Sequence, residues 1–221
     1  MTSEEPREGE AAKQEALAAL RQAIAAGDMA PGQRLVEAEL AETLGVTRAS
    51  VRAALIELTA AGLVERIPNR GARVRVVSVA EAVAITECRM VLEGLCAAKA
   101  AELATDAQLA DLTDLGERMR RAVADAEPLK YSALNQELHR MVREISGQTV
   151  AAGLLNRLNA QIVRHQFQLA LRSGRPQVSV GEHLAIVEAI AHRDPAAAEA
   201  AARAHLRSVI DALRESLGGN Q

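Results

Sequence analysis

Aromatic residues are almost missing from this 221-residue chain: it has no Trp, and Tyr131 and Phe167 are its only two rings. Strands draw heavily on aromatic and β-branched residues, so the scarcity argues against a β-rich fold. It also argues against functions that need stacking platforms, such as reading single-stranded RNA on a sheet of aromatics. Cysteine is scarce as well. Cys88 and Cys96 lie eight apart in one helical stretch with no C-x-x-C pair, so zinc-ribbon and redox chemistry are not indicated and two buried thiols are expected. No segment approaches the roughly 18 uninterrupted apolar residues of a membrane span. Residues 1–14 lack the positive flank and apolar stretch of a signal peptide, so a cytoplasmic protein is expected. There is no H-E-x-x-H, no Glu-x-x-His of the kind bundle di-iron proteins use, no G-x-S-x-G and no P-loop, and these absences weigh against an enzyme.

What the chain has instead is alanine, at 46 positions. Alanine is the best intrinsic helix former, so the composition predicts a mainly α protein. With 49% hydrophobic and 25% charged residues and a net charge of −3, the proportions are those of a globular chain. Charge is unevenly spread. Residues 47–75 carry Arg48, Arg52, Arg66, Arg70, Arg73 and Arg75 against only Glu57 and Glu65, an excess of four positive charges suited to a duplex phosphate backbone.

Periodicity divides the chain into a tail at 1–10, a first domain at 11–77, a helical domain at 78–217 and a short tail at 218–221. Leu17, Leu20 and Ile24 recur at helical spacing up to Gly27-Asp28, and a short helix with Leu40 and Leu44 ends at Gly45. Thr47 is placed to cap a third helix with Val51, Leu55 and Leu58 as its stripe, and Gly62 to end it. Two β-branched segments, 63–67 and 72–77, flank the turn residues Pro68-Asn69-Arg70-Gly71. Three helices and a hairpin make a winged helix-turn-helix with a two-stranded wing. From Ser78 onward the pattern is helical, with helices near 79–103, 106–125, 128–146, 149–172, 180–192 and 195–217. Ser78, Thr105 and Ser179 each begin a capping-box pattern, Glu182 being the N3 partner of the last. Pro128 and Pro195 suit first helical turns, the latter after Asp194 as N-cap, and Gly174-Arg175-Pro176 reads as a loop.

The stretch Gly27…Pro31-Gly32-x-Arg34-Leu35…Glu39-Leu40-Ala41…Leu44-Gly45-Val46-Thr47-Arg48-x-Ser50-Val51-Arg52-x-Ala54-Leu55…Gly62-Leu63-Val64…Pro68-Asn69-Arg70-Gly71-Ala72-x-Val74 resembles the N-terminal domain of the GntR family of bacterial transcription regulators. Ala49, Ser50 and Ala53 depart from the threonine, proline and glutamate common there. The resemblance implies a protein that binds double-stranded operator DNA as a homodimer. Arg48 and Arg52 lie one turn apart, and arginine can donate bidentately to guanine. By resemblance Arg48 reads bases, while Thr47, Ser50 and Arg52 contact phosphates or base edges. Asn69, Arg70 and Gly71 form the wing contact.

The second half, Glu87-Cys88-Arg89-Met90-Val91-Leu92-Glu93 with Asn135-x-x-x-His139, Ser179-x-x-Glu182-His183, Asp194-Pro195 and His205-Leu206, resembles the ligand-binding C-terminal domain of the FadR subfamily. Helix histidines are ordinarily surface or hydrogen-bonded residues, but imidazoles on three helices together with a side-chain oxygen would suit a transition metal. The resemblance implies that Asn135, His139, His183 and His205 hold a divalent ion such as zinc or nickel, with Asn135 standing where aspartate is usual. It also implies a small carboxylate effector. Arg89 is the candidate anchor, with an intrahelical pair to Glu93 as its alternative. A metal-sensing repressor and a helical metalloenzyme are the competing functions.

Overall fold

The computed structural model describes residues 7–67 and 71–218, which fall into two compact units. The first comprises residues up to 78 together with 159–164. It opens with α1 (Glu10–Ala26), whose buried Ala16, Leu17, Leu20 and Ile24 form the expected stripe. A two-residue strand β1 (Arg34–Leu35) leads to α2 (Glu37–Leu44). Gly45 follows at φ 62°, and its N–H bonds back to Ala41 and Glu42. A left-handed residue at this point is what lets the chain reverse directly into α3 (Arg48–Ala60). Thr47 caps α3 as expected, accepting from the Ser50 N–H at 3.2 Å.

The wing is β2 (Val64–Ile67) and β3 (Gly71–Val74), antiparallel with Val64 opposite Val74 and Ile67 opposite Gly71. Beyond the expected two-stranded ribbon, β1 pairs with the other edge of β3 and makes a three-stranded sheet in the order β1-β3-β2. Two residues are too short to show alternation, so this strand carries no signature in the sequence. Ala72, Val74 and Leu35 bury their side chains against α1 and α3 core residues, while Arg73 stays outside. The turn residues Pro68, Asn69 and Arg70 lie outside the described residues.

Residues 7–10, read as tail, belong to this unit's fold. The Arg7 N–H donates to Gly45 O at 3.1 Å, its carbonyl accepts from Thr47 N–H at 2.9 Å, and its guanidinium bonds Glu15 and Leu44 O. Arg7 thereby satisfies backbone groups at the α2–α3 turn, a role no local pattern announces.

The second unit is helical: α4 (Val79–Leu103), α5 (Asp106–Ala124), α6 (Pro128–Ile145), α7 (Thr149–Gln161), α8 (Val163–Ala170), α9 (Arg175–Ala191) and α10 (Pro195–Gly218). Part of the seventh helix, residues 159–161, belongs to the first unit. Alanine decides how closely α4 and α10 approach: Ala97, Ala100 and Ala101 on one and Ala198 and Ala202 on the other are buried. At Gly94 an added Cβ would come within 3.2 Å of the Arg203 and Glu199 side chains, so this crossing has no room for a methyl group without displacing them. The core adds Leu112, Leu115, Met119, Leu138, Leu155, Ile186 and Ile190 from the surrounding helices.

Three local expectations change. The helix expected over 149–172 is broken at Ile162, whose N–H bonds Asn159 O in a tighter i,i+3 turn. The helix expected from 180 starts at Arg175 instead. Gly174 at φ 79° turns the chain and Pro176 sits in the first turn, where its missing N–H costs nothing, so the loop reading of Arg175-Pro176 is corrected. Ser179 is therefore not a cap. Cys88 is exposed rather than buried, while Cys96 is buried as expected. The Thr105–Gln108 capping box forms in both directions, and Asp194 caps α10 through Ala197 N–H at 2.9 Å. No described helix is long and apolar enough to cross a membrane.

Candidate functional site

In the first unit α3 presents its polar positions unequally. Arg48 is exposed and makes no hydrogen bond or ion pair among the described residues. Arg52 is exposed but clamped bidentately by Glu37 of α2, at 2.7–3.1 Å. The Ser50 hydroxyl is 3.0 Å from Thr47 Oγ1 and the residue is 5% exposed, so its side chain takes part in the cap. Standing in place of the proline common in the family, Ser50 completes the helix start. The partly buried Thr47 hydroxyl is likewise engaged in the cap. In the wing Gly71 is exposed, with φ 85°, and Asn69 and Arg70 lie outside the described residues. Arg73 is paired with Glu65 at 2.6 Å.

In the second unit α6, α9 and α10 bring His139, His183 and His205 together, with ligand-capable atoms within 4.8 Å of one another. His139 Nε2 and His183 Nε2 are 3.2 Å apart. Two nitrogens bound at about 2.1 Å to one ion at tetrahedral or octahedral angles would be about 3.0–3.4 Å apart. The other nitrogen of each ring is held from outside. His205 Nδ1 donates to Glu182 Oε2 at 2.7 Å. His183 Nδ1 meets the Tyr131 hydroxyl at 3.0 Å and the Ser179 hydroxyl at 3.3 Å. His139 Nδ1 is 3.1 Å from Glu93 Oε2. Such outer partners orient imidazoles and fix which nitrogen is left for a metal.

Burial disfavours charge on two of these rings. It holds the His183 pKa well below its ordinary 6.5, with the neighbouring His205 and His139 adding to the effect. Burial also lowers His205, against the opposing pull of its Glu182 hydrogen bond. Neutral imidazole is the form that ligates. Burial raises the Glu182 carboxyl, but hydrogen bonds from His205 and Ser208 and the charge of Arg175 bring it below the carboxylate range. Burial pushes the Tyr131 phenol up to about 12, so it stays protonated. One turn before His139, Asn135 Oδ1 is buried with no hydrogen-bond partner among the described residues. An orphaned carbonyl oxygen one helical turn from His139 is a chemically suitable neutral ligand.

Comparison with known proteins finds two family models along the chain. Residues 84–208 match the FCD domain, and residues 12–74 match the bacterial regulatory proteins of the gntR family. The chain belongs to the gntR family. It is 27% identical over 187 residues to the HTH-type transcriptional repressor RspR of Escherichia coli K12, a match spanning 85% of this chain and 82% of that one. It is 30% identical over 216 residues to the HTH-type transcriptional repressor NanR of Cronobacter sakazakii, spanning 86% and 78%. Among solved structures, Escherichia coli McbR/YncC shares the fold, with a TM-score of 0.78 at 20% identity over 93% of this chain and 98% of that chain. The family is one of transcription regulators, not enzymes.

Within the FCD domain the effector expectation at Arg89 is corrected. Its Nε and Nη2 donate to Glu93 Oε1 at 3.0 and 2.7 Å, and both side chains are buried in an i,i+4 pair. Burial raises the Glu93 carboxyl, but the charges of Arg89 and His139 more than reverse this and hold it below the carboxylate range. Breaking so buried a pair to serve a ligand would strand a charge, which is why the intrahelical alternative prevails. Sequence reasoning also missed Arg175 and Glu182. Arg175 reaches from the first turn of α9 to Glu182 at 3.0 Å and to Ser208 at 2.7 Å, locking the carboxylate that orients His205. Their i,i+7 spacing, two turns along one helix, was concealed by reading 174–176 as a loop.

Proposed function

We propose that this regulator binds a palindromic duplex operator as a homodimer, and that a small carboxylate effector beside a divalent ion in its FCD domain sets its affinity for DNA. His139, His183 and His205 would hold the ion, with Asn135 Oδ1 as a neutral fourth ligand, and zinc and nickel both suit such a nitrogen-rich set. When bound, the ion supplies a Lewis-acidic centre with open positions for a carboxylate oxygen. The observation that carries the reading is the convergence of three imidazoles, each with its second nitrogen engaged from outside. At the DNA end, Arg48, which has no hydrogen bond or ion pair among the described residues, is the base reader, and Arg52 with its Glu37 clamp stiffens the α2–α3 pair. Twofold symmetry is argued from size, because one recognition helix touches too few base pairs to specify a genomic site. Repression, the activity named for RspR and NanR, is the sign of regulation proposed.

Selection of sites from a random duplex library by the full-length protein, followed by gel shift, tests this reading. Inverted repeats are expected, with Arg48→Ala weakening specific retention about 10–100-fold while the fold is kept, the equivalent of roughly 1–3 kcal/mol. Recovery of no preferred sequence, or unchanged specific binding by the variant, would contradict it.

A further inference from the structure

Arg52 stands on the side of α3 turned away from the buried Val51, Ala54, Leu55 and Leu58, where Arg48, Ala49 and Ile56 are also exposed. Its guanidinium is held along one edge. Nε donates to Glu37 Oε1 and Oε2 at 3.1 Å each, and Nη2 donates to Oε2 at 2.7 Å. These bonds occupy the Nε/Nη2 edge of the plane and leave Nη1 with the second proton of Nη2 as an open two-donor end. Among the described residues that end has no acceptor. Ala49, one turn earlier on α3, is too short to cover it.

Stability does not account for this clamp. The two side chains are 58% and 28% exposed, and an ion pair so open to water adds little to folding. A carboxylate is also unwelcome on a surface presented to phosphates. Hydrogen bonds from Arg52 hold the Glu37 carboxyl below its ordinary range although burial raises it, and the charges of Arg52, Arg66 and Arg48 act in the same direction. Both Glu37 oxygens face Arg52, so the residue is not placed to accept from a cytosine amine. What the clamp supplies is direction: a guanidinium whose plane is already fixed loses less freedom on docking than a free one. We propose that Arg52 reads a guanine with its open Nη1/Nη2 end, donating to O6 and N7, and that Glu37 is the positioning residue that aims it. This rests on the reading of α3 as the helix that enters the major groove, and it adds a second base reader to Arg48. The two arginines are four residues apart, about 6 Å along the helix or roughly two base-pair steps, so each half-site carries two guanines close together.

Duplexes selected from a random library by the full-length wild-type protein supply the operator. Gel shifts with 7-deazaguanine placed at one guanine at a time then read each contact, since this base keeps its pairing but lacks N7. Two sensitive guanines per half-site are expected for the wild type. Arg52→Lys, which keeps the charge but not the fork, should bind the intact operator about tenfold more weakly and become indifferent to one of the two replacements, while its response to the other is unchanged. Glu37→Gln should bind nonspecific duplex no more weakly than wild type, keep its melting temperature, and yet lose about threefold or more of its preference for guanine at that same position. A phosphate contact by Arg52 predicts something different: sensitivity to both guanines persists in Arg52→Lys, and Arg52→Ala binds all sequences more weakly with a salt slope shallower by about 1. A clamp that only ties α2 to α3 predicts a lower melting temperature for Glu37→Gln with no change at any guanine. Either of those results, or a single sensitive guanine per half-site in the wild type, would overturn the proposal. If Arg48→Ala loses specific retention while the Arg52 and Glu37 variants respond to every guanine as wild type does, only this proposal falls. If the wild type selects no sequence, the operator reading falls with it.

Discussion

His183 is 1% exposed, and the free energy of burying an imidazole depends on its staying neutral. Its native pKa and that of His205 lie below 6.5, the value each ring regains when the chain unfolds. The unfolded chain therefore takes up protons near and below pH 6.5 that the native chain does not, so these residues lower stability as pH falls through that range. Glu93 and Glu182, whose native pKa values are depressed, add their own loss only at lower pH, near and below the ordinary carboxylate value of about 4.3. The metal-free protein should thus show a melting temperature that declines from pH 7 to pH 5.5, with a shallower decline in His183→Gln. A flat profile over that interval would mean that the cluster is solvated. At this scale the histidines were legible only through their resemblance to a ligand pattern, since spacing along one chain does not say which rings converge. Glu182 was obscured because Ser179-x-x-Glu182 fits a capping box, yet in the folded chain both residues serve imidazoles.

Helix termini position the cluster, because α6, α9 and α10 each deliver one histidine. Asp194 holds the start of α10 by accepting from Ala197 N–H, and Asp194→Ala should cost about 1 kcal/mol in urea unfolding. An unchanged midpoint would show that this cap contributes nothing. Strong start signals were readable at Pro128, Thr105 and Asp194, because each combines a side-chain acceptor or a proline with a following apolar stripe. The start of α9 was not readable, since Gly and Pro mark loops and first turns alike, and only the left-handed Gly174 decides which. The break at Ile162 has no Gly or Pro to mark it, and β1 is too short for periodicity to reveal. Elements were thus visible where local chemistry set them, and hidden where tertiary pairing did.

For the molecule as a whole, the near absence of rings and the abundance of alanine foretold helices that pack closely, and α4 against α10 is that packing. The same composition leaves both units to act through arginines, hydroxyls and imidazoles. The central claim is that the helical unit is a sensor built around three imidazoles, and X-ray absorption spectroscopy of the full-length protein loaded with zinc or nickel tests it most directly. The account predicts one ion per chain with three imidazole ligands at about 2.0–2.1 Å, and one imidazole fewer in His183→Gln. A metal shell of oxygen alone, or a shell unchanged by that substitution, would contradict it.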